Sequence, residues 1–315
     1  MVFRNRGRWW NGKKHTMRAC QDSTHSESRQ LSPPPPNHVT SRAAPIWICS
    51  LLSGIQVTFL ARHGTGHTIS PSAVPTQANI AALKSLGVRA IVAFSTVGSL
   101  REEISPGSFA LPTQIIDRTK GIRPASFFEG TSIVAHASFG DPCSRKLVSW
   151  LEGRVRKALD QEGRGVKLFT DKCIVCMEGP QFSTRAESIM YRQWGGDLIN
   201  MSVLPEAKLA REAELSYVLI ATATDYDAWR LHSDTVTAAE VFETLKANAD
   251  TSRLVAATVL DELHAAVSAS GEIFLLEQVG SMSFSIMPRS EKQDPEHRKK
   301  LAYVLPEYFS GEQLN

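Results

Sequence analysis

From Gln56 onward, short apolar runs alternate with helical patterns, and this alternation leaves few architectures open to the chain. Val57–Ala61, Ala90–Phe94, Ala110–Ile116, Cys173–Met177, Leu198–Met201 and Tyr217–Ala223 read as short buried strands. Between them, residues 77–86 carry apolar side chains at helical spacing. Leu147, Val148, Leu151, Val155 and Leu159 form a second helical stripe. Thr237-Ala238-Ala239-Glu240 is a capping box that opens a long helix towards Leu263. Strands in alternation with helices define an α/β domain, with helices on both faces of a mixed central sheet. Residues 277–293 read as a connector, and residues 294–305 as a terminal helix.

The first 56 residues have a different texture. They hold eight Lys or Arg against two Asp or Glu, and Pro33–Pro36 form a polyproline run. Such a segment buries too little apolar surface to fold alone, and disorder is expected. Its Arg- and Ser-rich, acid-poor composition is also that of an organelle transit peptide. The expected organisation is therefore a basic tail over 1–56, a folded domain over 57–309 and a short tail over 310–315. Net charge is +3, and the excess lies in the tail, so the body is slightly acidic. That argues against a nucleic-acid-binding body. No apolar run is long enough to span a bilayer.

The five cysteines are odd in number and scattered, which suits a reducing compartment better than a disulfide scaffold. Cys173 and Cys176 form a C-x-x-C, but within a strand, where positions three apart face opposite sides. No second pair exists, so neither metal binding nor redox chemistry is expected of it.

Four segments carry candidate chemistry. Arg62 and His63 follow a strand directly, in a turn with Gly64 and Gly66; a guanidinium beside an imidazole is a clamp for an anion such as phosphate. Ser95 and Thr96 follow an apolar strand and precede Gly98, and open α/β sheets bind ligands beyond the carboxyl ends of their strands. Residues 177–202 combine Phe182, set in a Gly-Pro turn beside Ser183, with Met201 and Ser202 after a strand. This suits one wall of a small-molecule site, although a surface loop followed by a core strand reads almost as well. Asp225 and Asp227 lie two apart after an apolar strand. On extended backbone both carboxyls share a side, and mutual repulsion raises one pKa. Read locally, each of these segments is also compatible with a solvated turn.

Taken together, the segments resemble one family. Glu178-Gly179-Pro180-x-Phe182-Ser183-x-Arg185-Ala186-Glu187-Ser188, then Trp194-Gly195 and Ile199-Asn200-Met201, are similar to the nucleoside-binding segment of the S-methyl-5'-thioadenosine phosphorylases, in the purine nucleoside phosphorylase superfamily. Ala61-Arg62-His63-Gly64, Phe94–Leu100 and Thr224-Asp225-Tyr226-Asp227 agree in the same order.

The resemblance runs from about Val57 to Phe309, and it implies a role for each segment. Arg62, His63, Ser95 and Ser202 would hold phosphate. Thr96 would lie between phosphate and ribose, and Met201 would back the ribose. Phe182 and Ser183 would contact the nucleoside. Asp225 would act as the catalytic acid or hydrogen-bond donor at purine N7, and Asp227 would accept from the exocyclic amine. Val236, Ala238, Val241 and Phe242 would form the methylthio pocket, with His136 entering from a neighbouring subunit of a homotrimer. Phosphate is then a co-substrate, and no metal or organic cofactor is implied. The implied locale is the cytoplasm, with the nucleus as a further one.

One departure stands out. The family opens with a strand and a Gly-Gly-Thr-Gly turn that gives backbone N–H groups to phosphate, and no such turn precedes Arg62. Ile46–Leu52 is an apolar run that could substitute as a strand, but it stands too near Arg62 to be the family's first one. The chain is therefore expected to lack that strand, leaving two open sheet edges. Two origins fit: unrelated sequence in place of a first exon, or a variant that binds without turnover. The abrupt change near Gln56, with every later motif intact, favours the first.

Overall fold

The computed structural model describes residues 2–4, 30–31, 44, 46–50, 56–230, 238–270 and 275–310. The strands are β1 (Val2–Arg4), β2 (Gln30–Leu31), β3 (Ile46–Ser50), β4 (Gln56–Leu60), β5 (Val88–Ser99), β6 (Phe109–Arg118), β7 (Val134–Ala135), β8 (Leu168–Met177), β9 (Leu198–Asn200), β10 (Ser216–Asp225) and β11 (Ile286–Met287). The helices are α1 (Thr76–Ser85), α2 (Arg145–Glu162), α3 (Arg185–Gln193), α4 (Val203–Glu212), α5 (Ala238–Ser270), α6 (Pro295–Leu301) and α7 (Pro306–Phe309).

Nine strands form one mixed sheet in the order β10-β6-β8-β9-β5-β1-β4-β3-β2, and β10 also pairs with β5. That extra pairing closes β5, β10, β6, β8 and β9 into a ring. One of its two long contacts is the parallel pairing of β5 with β10, which runs from Ala90↔Ser216 to Gly98↔Asp225. It carries the carboxyl ends of both strands to the same edge, where ligands of α/β sheets bind.

The period of two along β5 and β10 sorts their side chains onto two helical layers. Ala90, Val92, Val218 and Ile220 pack with Leu147, Leu151 and Val155 of α2 and with Val255, Val259 and Leu263 of α5. Ile91, Ala93, Leu219 and Ala221 pack on the other face with Ile80 and Leu83 of α1 and Ala207 and Ala210 of α4. Each such fully buried aliphatic side chain contributes about 1.5–3 kcal/mol. Local signals set the helix ends. Ser144 Oγ accepts from Leu147 N at the start of α2, and Gly163 ends it at φ 80°.

The region before Gln56 meets one expectation and departs from another. Ile46–Ser50 is indeed a strand, and it forms an antiparallel pair with Gln56–Leu60. The expected two open edges are not found along the described stretch, because Val2–Arg4 lies antiparallel between β4 and β5 and pairs with both. The connector at 277–293 contains β11, paired with β7. The terminal helix is shorter than its predicted span, covering Pro295–Leu301 behind an Asp294 cap. Thr237 of the expected capping box lies outside the described residues, and α5 starts at the next residue. Cys176 is buried, and burial pushes its thiol up to about 12; burial also raises Cys173. Neither has the depressed pKa of a reactive thiolate.

Away from the strand ends, the fold buries a pH-sensitive carboxyl. Glu212, at the end of α4, is buried, and Oε2 accepts from the Phe127 backbone N–H at 2.7 Å. Burial lifts its carboxyl to about 7 from an ordinary 4.5. Between those values the folded chain holds a proton that the unfolded chain has released, so stability falls as pH rises from 4.5 to 7 and levels off above. Glu212→Gln keeps an acceptor for Phe127. It is expected to stabilise the chain at pH 8 by about 3 kcal/mol and to flatten this slope. Urea unfolding at pH 5 and pH 8 checks both.

Candidate active site

The sites singled out in the sequence gather around the carboxyl end of β5. Arg62, in the turn after β4, reaches across to α4. Its Nε and Nη2 donate to Glu206 Oε2 and Oε1 at 2.7 and 2.8 Å, and its Nη1 donates to the Phe94 carbonyl at 3.0 Å. Tyr217 donates its hydroxyl to Glu206 Oε1 at 2.8 Å. Burial opposes the charge on Arg62, but the Glu206 carboxylate outweighs it and the pKa is raised. The guanidinium is thus aimed by a forked ion pair that uses part of its five-donor capacity, with Nη1 and Nη2 each keeping an N–H for an anion. Glu206 and Tyr217 are not among the residues singled out in the sequence, and the helix that carries Glu206 is not among those read there.

His63 Nδ1 lies 2.9 Å from the Ile69 carbonyl and the ring stacks on His67 at 4.4 Å. A carbonyl only accepts, so Nδ1 carries the proton and Nε2 of the neutral ring is an acceptor. Burial lowers the His63 pKa, and the neighbouring His67 and Arg62 act in the same direction. Arg62, His63 and Gly64 line a cavity of about 410 Å³ together with Phe94 and Glu206.

Ser95 and Thr96 lie within β5 rather than beyond it, paired with Ala221 and Thr222 of β10. Ser95 Oγ is 3.3 Å from Ser202 Oγ and also accepts from Asn200 Nδ2 at 3.3 Å. The structure therefore joins Ser95 and Ser202, as expected, and adds Asn200.

Further along β5, the expected aspartate pair closes the site. Asp225 ends β10, and both of its carboxyl oxygens are engaged: Oδ1 by the Asp227 N–H and Oδ2 by the Thr224 hydroxyl, each at 2.8 Å. The backbone is not extended, because Asp227 turns to φ 50°. Asp227 is 5% exposed, and the raised carboxyl is this one. The first cause is burial, opposed by the hydroxyls of Ser188 and Ser183, with Glu187 rather than Asp225 as the like charge. The expected repulsion between the two aspartates is thus replaced by desolvation. Asp227 Oδ2 is buried without a hydrogen-bond donor among the described residues. Gly98 makes this arrangement possible: a Cβ there would stand 2.9 Å from Ile199 Cγ2 and 3.1 Å from Asp225 Oδ1.

The remaining wall is built from α3 and the turn before it. Thr184 and Glu187 form a reciprocal capping box that starts α3. Ser183 is buried beside Met177, and Phe182 is 44% exposed, open to a stacking partner. Met201 presses against the turn so closely that a Cβ on Gly179 would stand 2.3 Å from its sulfur.

Not every expected residue joins. Val236 lies outside the described residues, as do the side chains of Ala238, Val241 and Phe242, which stand at the start of α5. His136 is exposed next to β7, where its N–H donates to Ser285 O, and within this chain it is not brought to the site. Among the described residues, no group of three His, Cys, Asp or Glu is placed to hold a metal ion.

A sheet edge carrying a clamped arginine, paired serines and a buried aspartate turn defines a site for an anion beside a nitrogen-rich ring. The phosphorylase superfamily model matches residues 29–263, starting upstream of the resemblance read from the motifs. The S-methyl-5'-thioadenosine phosphorylase of Coprinopsis cinerea is 67% identical over 283 residues, covering 85% of this chain and 87% of that one. A crystal structure of a methylthioadenosine phosphorylase from an Antarctic soil metagenomic library superposes with a TM-score of 0.77 at 36% identity, covering 89% of this chain and 93% of its own. The methylthioadenosine phosphorylase of Schistosoma mansoni in complex with adenine gives 0.69 at 27% identity, covering 81% and 91%. The chain belongs to the S-methyl-5'-thioadenosine phosphorylase family of the phosphorylase superfamily.

Proposed function

We propose that the chain catalyses phosphorolysis of S-methyl-5'-thioadenosine to adenine and 5-methylthioribose 1-phosphate. The observation that carries this reading is the aspartate turn packed against Gly98 of β5, the strand that also bears Ser95, the partner of Ser202. Arg62, His63, Ser95 and Ser202 hold phosphate, which attacks C1' from the face opposite the purine. The C1'–N9 bond breaks and its electron pair moves onto the ring. Asp225 brings proton density to N7, which makes adenine the better leaving group. Asp227 offers its unpartnered oxygen to the exocyclic amine. A keto oxygen there would face an acceptor, so 6-aminopurines are preferred over 6-oxopurines. Thr96 and Met201 flank the ribose, and Phe182 and Ser183 lie on the base side. Val236, Ala238, Val241 and Phe242 form the apolar 5' pocket, completed by His136 of a second copy in a homotrimer.

A second reading, a nucleoside-binding protein on the same fold, is favoured by the absence of a Gly-Gly-Thr-Gly before Arg62. Thermal unfolding separates the two. An enzyme is protected by phosphate as well as by nucleoside, by about 2.7 kcal/mol at one hundred times Kd. Protection by adenosine analogues alone supports the binding protein.

A further inference from the structure

The phosphate and base contacts leave one large polar feature unused. Arg123 is 7% exposed and Glu178 6% exposed, and they form an ion pair through Nε and Oε1 at 2.6 Å. The Arg123 guanidinium also reaches three backbone carbonyls. Nη1 donates to Met201 O at 2.7 Å and to Leu204 O at 2.8 Å, and Nη2 donates to Glu178 O. Leu204 departs from helical backbone at φ −116° and ψ 141°, within the first turn of α4. Glu178 is held in turn by Lys120 N at 2.5 Å and Ser72 Oγ at 3.2 Å.

These bonds converge on two walls of the nucleoside slot. One is the backbone from Met201 to Leu204, which carries Met201 and Ser202. The other is the turn from Glu178, which leads to Phe182 and Ser183. Gly179, at φ 65°, has no room for a Cβ against Met201, so the two walls touch there. A shift of the guanidinium moves one wall against the other. A planar fork can serve two carbonyls on one nitrogen and a third on the other, and a lysine ammonium cannot reproduce that geometry.

We propose that Arg123 is a positioning residue that sets the width of the nucleoside slot, acting through Met201 and the Glu178–Gly179 turn. The proposal rests on the reading of the site given above. Charge neutralisation alone does not require this residue, because a buried ion pair contributes little net stability compared with apolar replacement.

The test compares wild type with Arg123→Lys, using 5'-methylthioadenosine and inorganic phosphate as varied substrates, with unfolding followed in parallel. The KM for nucleoside is expected to rise about tenfold or more. The KM for phosphate should change less, because Arg62, His63 and Ser95 hang from elements that Arg123 does not touch, and of the four phosphate residues Ser202 alone sits on the wall it holds. Glu178→Gln, which keeps acceptors for Lys120 and Ser72, should give a smaller rise of the same kind, and it serves if the lysine variant does not fold. Nucleoside affinity of the folded proteins is also read by calorimetry without phosphate. Equal affinity in an active wild type and its variants overturns the proposal alone, as does a fall in stability with both KM values unchanged. A wild-type chain that binds no nucleoside overturns the proposal together with the reading of the site.

Discussion

Asp225→Asn is expected to fold like wild type and to lose phosphorolysis by about 10²–10⁴-fold in kcat. The fold should survive because the amide oxygen can still accept from the Asp227 N–H, the contact that closes the turn at 2.8 Å. The Thr224 hydroxyl, which now donates to Oδ2, also lies 3.3 Å from the Val97 carbonyl and can rotate towards it while accepting from the new amide. Activity should fall because an amide cannot deliver the proton that a departing purine needs. The measurement is initial-rate adenine release at saturating nucleoside and phosphate, beside a thermal melt. Unchanged turnover would remove Asp225 from the mechanism.

The second large effect concerns stability. Glu206→Ala strips the half-buried Arg62 of its forked partner and leaves the Tyr217 hydroxyl without its acceptor. Removing one member of a buried pair costs about 3–5 kcal/mol; Arg62 keeps some exposure and its bond to the Phe94 carbonyl, so a loss at the lower end, about 3 kcal/mol, is expected. The denaturation midpoint should drop accordingly, and the KM for phosphate should rise because the guanidinium is no longer aimed. A midpoint within experimental error of wild type would mean that Arg62 reaches water once Glu206 is gone.

The sequence made some of this architecture legible and hid the rest for identifiable reasons. Strands such as Tyr217–Ala223 were readable because nearly every residue is apolar. Their ends were not: β5 runs on through Ser95 and Thr96 to Ser99, and β10 through Thr224 to Asp225. There polar side chains lie inside the sheet, held by the parallel ladder that joins the two strands. Arg62, Ser95, Ser202, Asp225 and Asp227 stood out because a polar group after an apolar strand is conspicuous. Glu206, Arg123 and Glu178 did not, since a charged residue in a loop or on an amphipathic helix reads as solvated until its partner is known. Those partners lie far off in sequence, Arg62 against Glu206 and Arg123 against Glu178. The chemistry of the aspartate turn shows the same limit. Spacing suggested a pair sharing charge on extended backbone. Only the positive φ of Asp227 and its burial beneath α3 reveal that desolvation raises its carboxyl.

The most direct test of the central claim is adenine release from 5'-methylthioadenosine by the whole chain, with and without inorganic phosphate. The account predicts release that requires phosphate and yields 5-methylthioribose 1-phosphate in equal amount. Nucleoside binding with no phosphate-dependent release would contradict it and leave a binding protein on a phosphorylase fold.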